Sequence, residues 1–447
     1  MHHATLGRKI RLCKTARNGK LRDRIRIMTI VIMTVGTEGD VRPHIALGEG
    51  LLARGHAVRL AADPGFETAI TRAGLEFSPL TADFAGMMRH NPQALDGRSG
   101  MAAARVVVAE TRRMAQDWPA QGLKAAEGAT LLIGSGNVSL LAASLAERLQ
   151  VPFVQTQLQP LEASHALPPV WFRPRPLPAS VNFALHRTLR QTAWLLMRDT
   201  ANRMRRALDL PPYPLKGPWH NPKATGGHIL FGFSQHVVPR QPEWPARIAM
   251  PGYFVSAKNA DYTPDADLAR FLQAGDKPAY IGFGSMVSGE AEALAATVQA
   301  AVQRAGLRAV VGSGWSKLGQ FLPNSARIHV VDHVPHEWLF SKMRLAVHHC
   351  GAGTAAAAVR AGIPTVPVPF VGDQYFWGWQ LHRIGVATPT QSLRTLTAQA
   401  LGDAMLQTTS PHIVANSDRL GSLVRAEDGV TNAITQLERW GLLQRKA

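Results

Sequence analysis

The chain is nearly free of cysteine, with only Cys13 and Cys350 among its 447 residues. Two thiols so far apart make no disulfide framework, and nothing in them calls for an oxidising compartment. Long apolar runs are missing too. The longest uncharged stretch, Gly128 to Ala146, is interrupted by Gly134-Ser135-Gly136-Asn137 and reads as strand, loop and helix rather than a membrane span. No H-E-x-x-H and no paired-cysteine motif is present. The one D-x-D, Asp265-Ala266-Asp267, follows Thr263-Pro264 and reads as a helix start, where acids offset the helix dipole. Gly134-Ser135-Gly136 and Gly312-Ser313-Gly314 both lack the G-x-S-x-G spacing of a serine hydrolase.

Acids are scarce: 31 Asp and Glu stand against 49 Lys and Arg, for a net charge of +18. Residues 1–27 carry nine bases and one acid, Asp23, so they contribute +8 and leave 18 − 8 = +10 for the rest. This leader has no apolar run long enough for a secretory signal. We read it as a disordered tail, or as an upstream extension before Met28, and expect its deletion to leave folding intact. The remaining +10 favours phosphates, acidic ligands or an anionic membrane surface. A content of 46% hydrophobic and 18% charged residues fits a globular protein, and the length calls for two domains.

Strand and helix patterns alternate in the N-terminal half. Thr29–Val35, Ala57–Ala61, Leu75–Ser78, Thr130–Ile133 and Phe153–Gln157 read as strands. Helices are expected over Pro43–Arg54, Pro64–Ala73 and Val138–Leu149. The pattern restarts with strands at Ala279–Phe283, Arg308–Val311, Ile328–Val331, Leu345–His348 and Thr365–Val368. Helices there are Ala291–Ala305 and Thr354–Ala361. Buried strands alternating with helices imply parallel sheets covered on both faces. Residues 28–240 and 266–447 are therefore expected to be separate α/β doubly wound domains. The proline-rich stretch 241–265 would link them, and the C-terminal helix would be free to pack back on the first domain. Ligands of two facing units bind in the cleft between them. The basic helical stretch Ser180–Leu210 reads first as a solvated face, with a membrane-touching surface as the alternative.

The strongest local signal is His348-His349-Cys350-Gly351-Ala352-Gly353-Thr354, which leads from an apolar strand into an alanine-rich helix. Small residues let backbone N–H groups approach a ligand, and the helix start adds unpaired donors and partial positive charge. That is a phosphate site. Gly351-Ala352-Gly353-Thr354-Ala355-Ala356 also fits the dinucleotide pattern G-x-G-x-x-A, with Asp373 20 residues after Gly353. The acid of that fingerprint should end the next strand, whereas Asp373 lies four residues beyond Pro369.

Taken with Arg360-Ala361-Gly362-Ile363-Pro364 and Pro369-Phe370-Val371-Gly372-Asp373-Gln374, the His348–Thr354 run resembles the donor signature of nucleotide-sugar-dependent glycosyltransferases. The sterol glucosyltransferase branch, similar to the enzymes that glycosylate glycopeptide and macrolide antibiotics, is the nearest in pattern. The resemblance extends to Val334-Pro335-His336-Glu337-Trp338-Leu339, to Gly282-Phe283-Gly284-Ser285-Met286 and to Gly36-Thr37-Glu38-Gly39-Asp40-Val41-Arg42-Pro43. It implies a GT-B fold: two facing Rossmann-like domains with an interdomain cleft. His349, the N–H groups of Gly351, Gly353 and Thr354, and Ser285 would hold the donor diphosphate. His333, Val334 and Trp315 would meet the base and ribose, and Asp373 and Gln374 the sugar hydroxyls. Plant members carry Glu where this chain has Ala357, so a usual ribose contact is missing. Cys350 matches the plant pattern, where the sterol branch has Gly.

Gly36, Gly39 and His44 belong to the acceptor-side loop, which in the family carries the general base. Plant relatives place His where this chain has Asp40. A carboxylate within reach of a hydroxyl can take its proton as the new bond forms, so Asp40 is the candidate base, with His44 and Glu38 in reserve. Asp just before a helix is also a common N-cap. The resemblance implies inverting transfer of a hexose from a UDP-sugar, or less readily a TDP-sugar, to a hydroxyl on a sterol, terpenoid, glycolipid or polyketide. No cofactor, metal or nucleic acid is expected, and the setting is cytoplasmic, with peripheral contact to an anionic membrane open. A nucleotide-sugar epimerase and an NAD-dependent oxidoreductase are the alternatives.

Overall fold

The computed structural model describes residues 28–91, 100–218, 227–256, 262–283, 291–313 and 318–443. The basic leader 1–27, Ser285 and Trp315 lie outside them. Thr29–Met33 (β1), Ala57–Ala62 (β2), Glu76–Pro79 (β3), Leu131–Ser135 (β4), Phe153–Gln157 (β5), His228–Phe231 (β6) and Ile248–Ala249 (β7) form one sheet. Ala279–Gly282 (β8), Ala309–Gly312 (β9), Ile328–Val331 (β10), Leu345–His348 (β11) and Thr365–Pro367 (β12) form the other. Ladder pairing is parallel throughout, in the orders β3-β2-β1-β4-β5-β6-β7 and β10-β9-β8-β11-β12. Side chains on both faces of the central strands are buried: Ile30, Val31, Ile32 and Met33 of β1 have no exposed surface. Helices on both sides account for this, as parallel sheets require.

Both sheets reverse direction once, between β1 and β4 in the first and between β8 and β11 in the second. Such switch points open a crevice at the carboxyl ends of the strands. The loops singled out in the sequence leave from them: Gly36–Asp40 follows β1 and His349–Thr354 follows β11.

Two boundaries differ from the sequence reading. The first sheet runs on to Ala249, so part of 241–265 is an edge strand rather than a linker. Prolines are tolerated at a sheet edge, where missing donors leave no central ladder broken. The first helix, Glu38–Ala53 (α1), begins five residues before Pro43 and carries that proline inside it. Thr37 provides the N-cap that starts it early, so Asp40 is not a cap but the third helical residue.

Four further helices matter for the site: Ala179–Ala207 (α2), Ala352–Ala361 (α3), Gln374–Arg383 (α4) and Gly429–Arg439 (α5). The last of them crosses back to the first domain. Its Ala433, Ile434 and Leu437 join the buried cluster of Leu47, Leu51 and Ile32. Gly50 makes the fit: a Cβ there would lie 2.2 Å from Val430 Cγ1. Arg54 pairs with Glu438 at 3.3 Å at the edge of the contact. Ile434 is 1% exposed. Ile434→Ala is therefore expected to lower unfolding free energy by about 2–5 kcal/mol, the range for truncating a buried aliphatic side chain. Denaturant unfolding checks it, and a loss below 1 kcal/mol would show that the helix is only loosely docked.

Candidate active site in the interdomain cleft

The carboxylate of Asp40 folds back on the turn that precedes it. Thr37 N–H donates to Asp40 Oδ2 at 2.8 Å and the Thr37 hydroxyl to the same oxygen at 3.1 Å. The space it occupies exists because residue 36 has no side chain: a Cβ on Gly36 would lie 2.2 Å from Asp40 Oδ2, at a φ of +147°. Only glycine holds that backbone without strain. Burial raises the Asp40 pKa above its ordinary value, partly offset by the two Thr37 donors.

His44 fastens this turn from beneath. It has no exposed surface. Its Nδ1 lies 2.6 Å from the Asp40 carbonyl oxygen, so it donates there, and Nε2 then accepts from the Thr156 hydroxyl at 2.7 Å. Burial pushes its pKa down to about 4, so the ring is neutral. With both nitrogens engaged, His44 is a positioning group for Asp40 rather than a reserve base. Glu38, the other reserve, is exposed and paired with Arg42.

Across the cleft, the β11–α3 loop is held by its first histidine. Cys350 N–H donates to His348 Nδ1 at 3.0 Å, which fixes the neutral tautomer of a fully buried ring. Cys350 itself takes a left-handed backbone, φ +65°, which non-glycine residues rarely adopt. Its thiol is buried and its pKa raised by that burial, so it packs and does not react. The turn throws His349 forward. Its ring lies against Gly351, where a Cβ would come within 2.6 Å of His349 Nε2. Burial pushes His349 down to about 4.

The two loops face each other. A Cβ on Gly353 would sit 3.9 Å from the Gly39 Cα, so the starts of α1 and α3 come into contact. Thr354 lies in the first turn of α3. Both helix starts direct unpaired N–H groups and partial positive charge toward the same space.

Asp373 comes in beside them at the start of α4. It accepts from Trp377 Nε1 at 3.1 Å and, from the other domain, from Gln159 Nε2 at 3.3 Å. Burial first, and then the nearby Asp40 charge, lift its pKa to about 6. Gln374 Oε1 accepts the backbone N–H groups of Phe370 and Val371 at 2.8 and 3.2 Å. The acceptor half of that amide thus shapes the loop. His333 and Val334 follow β10, with His333 exposed and its Nε2 3.4 Å from Arg42 Nη2 of the first domain.

Gly36, Gly39, Asp40, His44, His349, Gly351, Gly353, Thr354, His333, Val334, Asp373 and Gln374 are therefore brought to one cleft. Three neighbours were not legible from the sequence. Arg42 lies in the Gly36–Pro43 motif, but only the meeting of the domains pairs it with His333. Gln159, just past β5, carries no local signal beyond its place at a strand's carboxyl end. His336, in the cleft wall, meets Tyr280 Oη at 3.1 Å and is pushed down to about 4 by burial and by neighbouring His349, Arg42 and His333. The Asp265-Ala266-Asp267 motif lies elsewhere: Asp265 caps a helix by accepting Leu268 N–H at 2.7 Å, and Asp267 pairs with Arg270 at 3.0 Å.

Two parallel α/β domains that turn their switch-point crevices toward each other define the GT-B class of glycosyltransferase folds. Known proteins agree. Residues 30–167 match the glycosyltransferase family 28 N-terminal domain, and residues 243–416 match the family described as UDP-glucoronosyl and UDP-glucosyl transferase. A sterol 3-beta-glucosyltransferase of Emericella nidulans is 32% identical over 432 residues, covering 92% of this chain and 30% of that protein. One from Arabidopsis thaliana is 32% identical over 420 residues, covering 91% of this chain and 64% of that protein. The chain thus spans about a third of the fungal relative and under two thirds of the plant one. Among solved structures, a Streptomyces sp. SF2575 glycosyltransferase complexed with thymidine diphosphate superposes with a TM-score of 0.60 at 18% identity, over 92% of this chain and 99% of that one. Both halves of the chain thus match glycosyltransferase family models, and most of its length is similar to part of the sterol glucosyltransferases. The oxidoreductase alternative falls with those matches.

The raised Asp373 pKa has a stability consequence. Between its ordinary value of 3.8 and about 6, the folded state binds more protons than the unfolded one, so stability falls as pH rises through that window. Asn keeps the acceptor oxygen for Gln159 and Trp377 but carries no charge. Asp373→Asn is expected to melt higher than the parent at neutral pH, with the gain shrinking below pH 6 and gone near pH 4. Thermal melts across pH check it, and a variant that melts lower at neutral pH would contradict it.

Proposed function

We propose that the chain transfers a hexose from a UDP-sugar, or less readily a TDP-sugar, to a hydroxyl of a lipophilic acceptor of the sterol type. The observation that carries this reading is the half-buried Asp40 carboxylate, held in the first turn of a helix whose start meets the β11–α3 loop. The sterol specificity of the relatives and the thymidine diphosphate held by the fold neighbour support the two ends of the reaction.

In this mechanism the diphosphate lies across the start of α3, with His349 donating to an oxygen of it. Asp373 and Gln374 hold the sugar so that its anomeric carbon faces Asp40. Both Thr37 donors go to Asp40 Oδ2, which turns Oδ1 to the acceptor hydroxyl. The acceptor oxygen bonds to the anomeric carbon as its proton passes to Asp40 and the bond from that carbon to the diphosphate oxygen breaks. A raised pKa makes Asp40 a stronger proton acceptor than an ordinary carboxylate. Negative charge growing on the diphosphate meets the helix start and His349, which serve in place of a metal ion. A single displacement inverts the anomeric centre. The setting we infer is cytoplasmic, at a membrane surface from which a lipophilic acceptor can be drawn.

Asp40→Asn tests the base without removing the turn. The Asn oxygen can still accept from Thr37, so the melting temperature and nucleotide affinity should stay near those of the parent. Turnover, measured with a chelator present throughout, should fall on the order of 10²–10⁴-fold. His349→Ala should lose on the order of 10²–10³-fold, as for other donors to developing negative charge. Near-parental turnover in Asp40→Asn would remove the base from this site. Activity that appears only with added Mn²⁺ or Mg²⁺ would overturn the metal-free mechanism.

A further inference from the structure

From Ala163 to Arg198 the chain carries five arginines, Arg173, Arg175, Arg187, Arg190 and Arg198, and not one acid. Within this stretch lies Trp171-Phe172-Arg173-Pro174-Arg175-Pro176-Leu177-Pro178-Ala179-Ser180-Val181, and it is out in solvent. Trp171 is 51% exposed, Phe172 49%, Leu177 40% and Val181 49%. Arg190 pairs with Glu162 at 3.8 Å and His165 N–H donates to Glu243 at 2.6 Å, but between Trp171 and Val181 the only charges are Arg173 and Arg175. Large apolar side chains exposed together beside positive charge mark an interaction surface.

The segment is held firmly at both flanks. Asn182, in the first turn of α2, donates to the Leu167 carbonyl at 2.6 Å and to that of Ser164 at 3.2 Å. His165 stacks on Phe183 with ring centroids 4.4 Å apart. Arg173 reaches the second domain, donating to Tyr375 Oη at 2.9 Å with its guanidinium 4.6 Å from the ring centroid. Tyr375 donates in turn to the Phe370 carbonyl at 2.9 Å, in the loop that leads to Asp373. The exposed aromatics are thus one and two residues from Arg173, the side chain that reaches the second domain. They stand on the rim of the candidate active site.

We propose that residues 171–181 dock the protein on an anionic lipid bilayer and set the mouth of the cleft against the membrane from which the acceptor is drawn. Charge complementarity selects this occupant. Trp and Phe settle at the boundary of headgroups and acyl chains, and the arginines meet anionic headgroups, while the absence of acids removes repulsion. Prolines at 174, 176 and 178 interrupt helix between Trp171 and the start of α2, so Trp171, Phe172 and Leu177 project from non-helical backbone while Val181 stands in the first turn of α2. The purpose of this docking rests on the lipophilic-acceptor reading, but its test does not.

The test is co-flotation of the full chain with equimolar phosphatidylcholine–phosphatidylglycerol vesicles and with pure phosphatidylcholine vesicles. Preferential binding to the anionic vesicles, weakening as salt is raised, is expected. The double variant Trp171→Ser with Phe172→Ser should lower the partition coefficient about tenfold or more. Arg175→Glu should lower it on anionic vesicles alone. The basic leader contributes equally to parent and variants, so the differences report on this segment. Transfer to an acceptor supplied in cyclodextrin should be unchanged in the double variant, and transfer to the same acceptor embedded in vesicles should fall with binding. Equal vesicle binding by parent and double variant overturns the proposal. So does a concentration-dependent dimer of the parent, lost in the double variant without any vesicle binding, which would make a second copy the partner. Failure of every sterol-type acceptor with vesicle binding intact would strike the functional reading and leave the docking surface standing.

Discussion

Desolvation governs this cleft. Two carboxylates, Asp40 and Asp373, are raised by burial, and the imidazoles of His336 and His349 are lowered by it. Each group is held where its charged form is disfavoured, and among the described residues no side chain of opposite charge hydrogen-bonds to Asp40 or Asp373. Among the described residues, the side-chain hydrogen bonds of Asp40 come from neutral Thr37 and those of Asp373 from neutral Gln159 and Trp377. A site arranged in this way is electrically incomplete. A diphosphate laid on the start of α3 would favour the protonated form of His349, and an acceptor hydroxyl placed beside Asp40 offers the proton that its raised pKa favours. Burial penalises the free site in the same terms in which the ligands repair it.

The backbone makes this geometry possible at a few positions where a side chain would fill the wrong space. Gly36 leaves room for the Asp40 carboxylate and Gly351 for the His349 ring. Cys350 achieves with a left-handed backbone what glycine would do more cheaply, and the Cys350 N–H bond to His348 Nδ1 helps to hold it there. Beyond the loops, α5 belongs by sequence to the second domain and by packing to the first. With it, the Arg42–His333 and Gln159–Asp373 contacts span the two domains. The cleft is thus tied both at the back and at the level of the chemistry.

Most of the fold was legible because its strands are short β-branched runs flanked by helix punctuation. Thr29–Val35, Leu345–His348 and the alanine-rich helix after Gly351 are found where their patterns place them. The start of α1 was misread because Pro43 is a strong breaker signal, whereas a threonine cap at 37 is a weak one that only the folded turn reveals. The edge strand Ile248–Ala249 was missed because two residues among prolines have no periodicity of their own. For the site, most motif residues could be named in advance because they lie in or beside glycine-bearing loops, whereas His333 and Val334 were named from the resemblance alone. Partners contributed by the facing domain could not. Gln159 and Arg42 acquire their roles from tertiary approach, which no local spacing encodes. His44 looked like a reserve base because histidine before a helix core is chemically versatile. Its two short hydrogen bonds, to Asp40 O and Thr156 Oγ1, are invisible in sequence and assign it to support.

Ala357 shows how far one substitution can move a recognition task. Plant members of the wider family carry a glutamate at this place, where its carboxylate would serve the donor ribose. Here the side chain is 3% exposed and packs with Leu339, Phe340 and Ala358 in an apolar cluster behind α3. A glutamate at such a position needs a ligand hydroxyl to justify the desolvation of its charge. Alanine removes that requirement and lets the helix pack flush. The ribose must then find its polar partners on other elements. At the Val334 loop His333 lies 3.4 Å from Arg42, which comes from the first domain. A ribose held there would meet a contact between the two domains in place of one within a single domain.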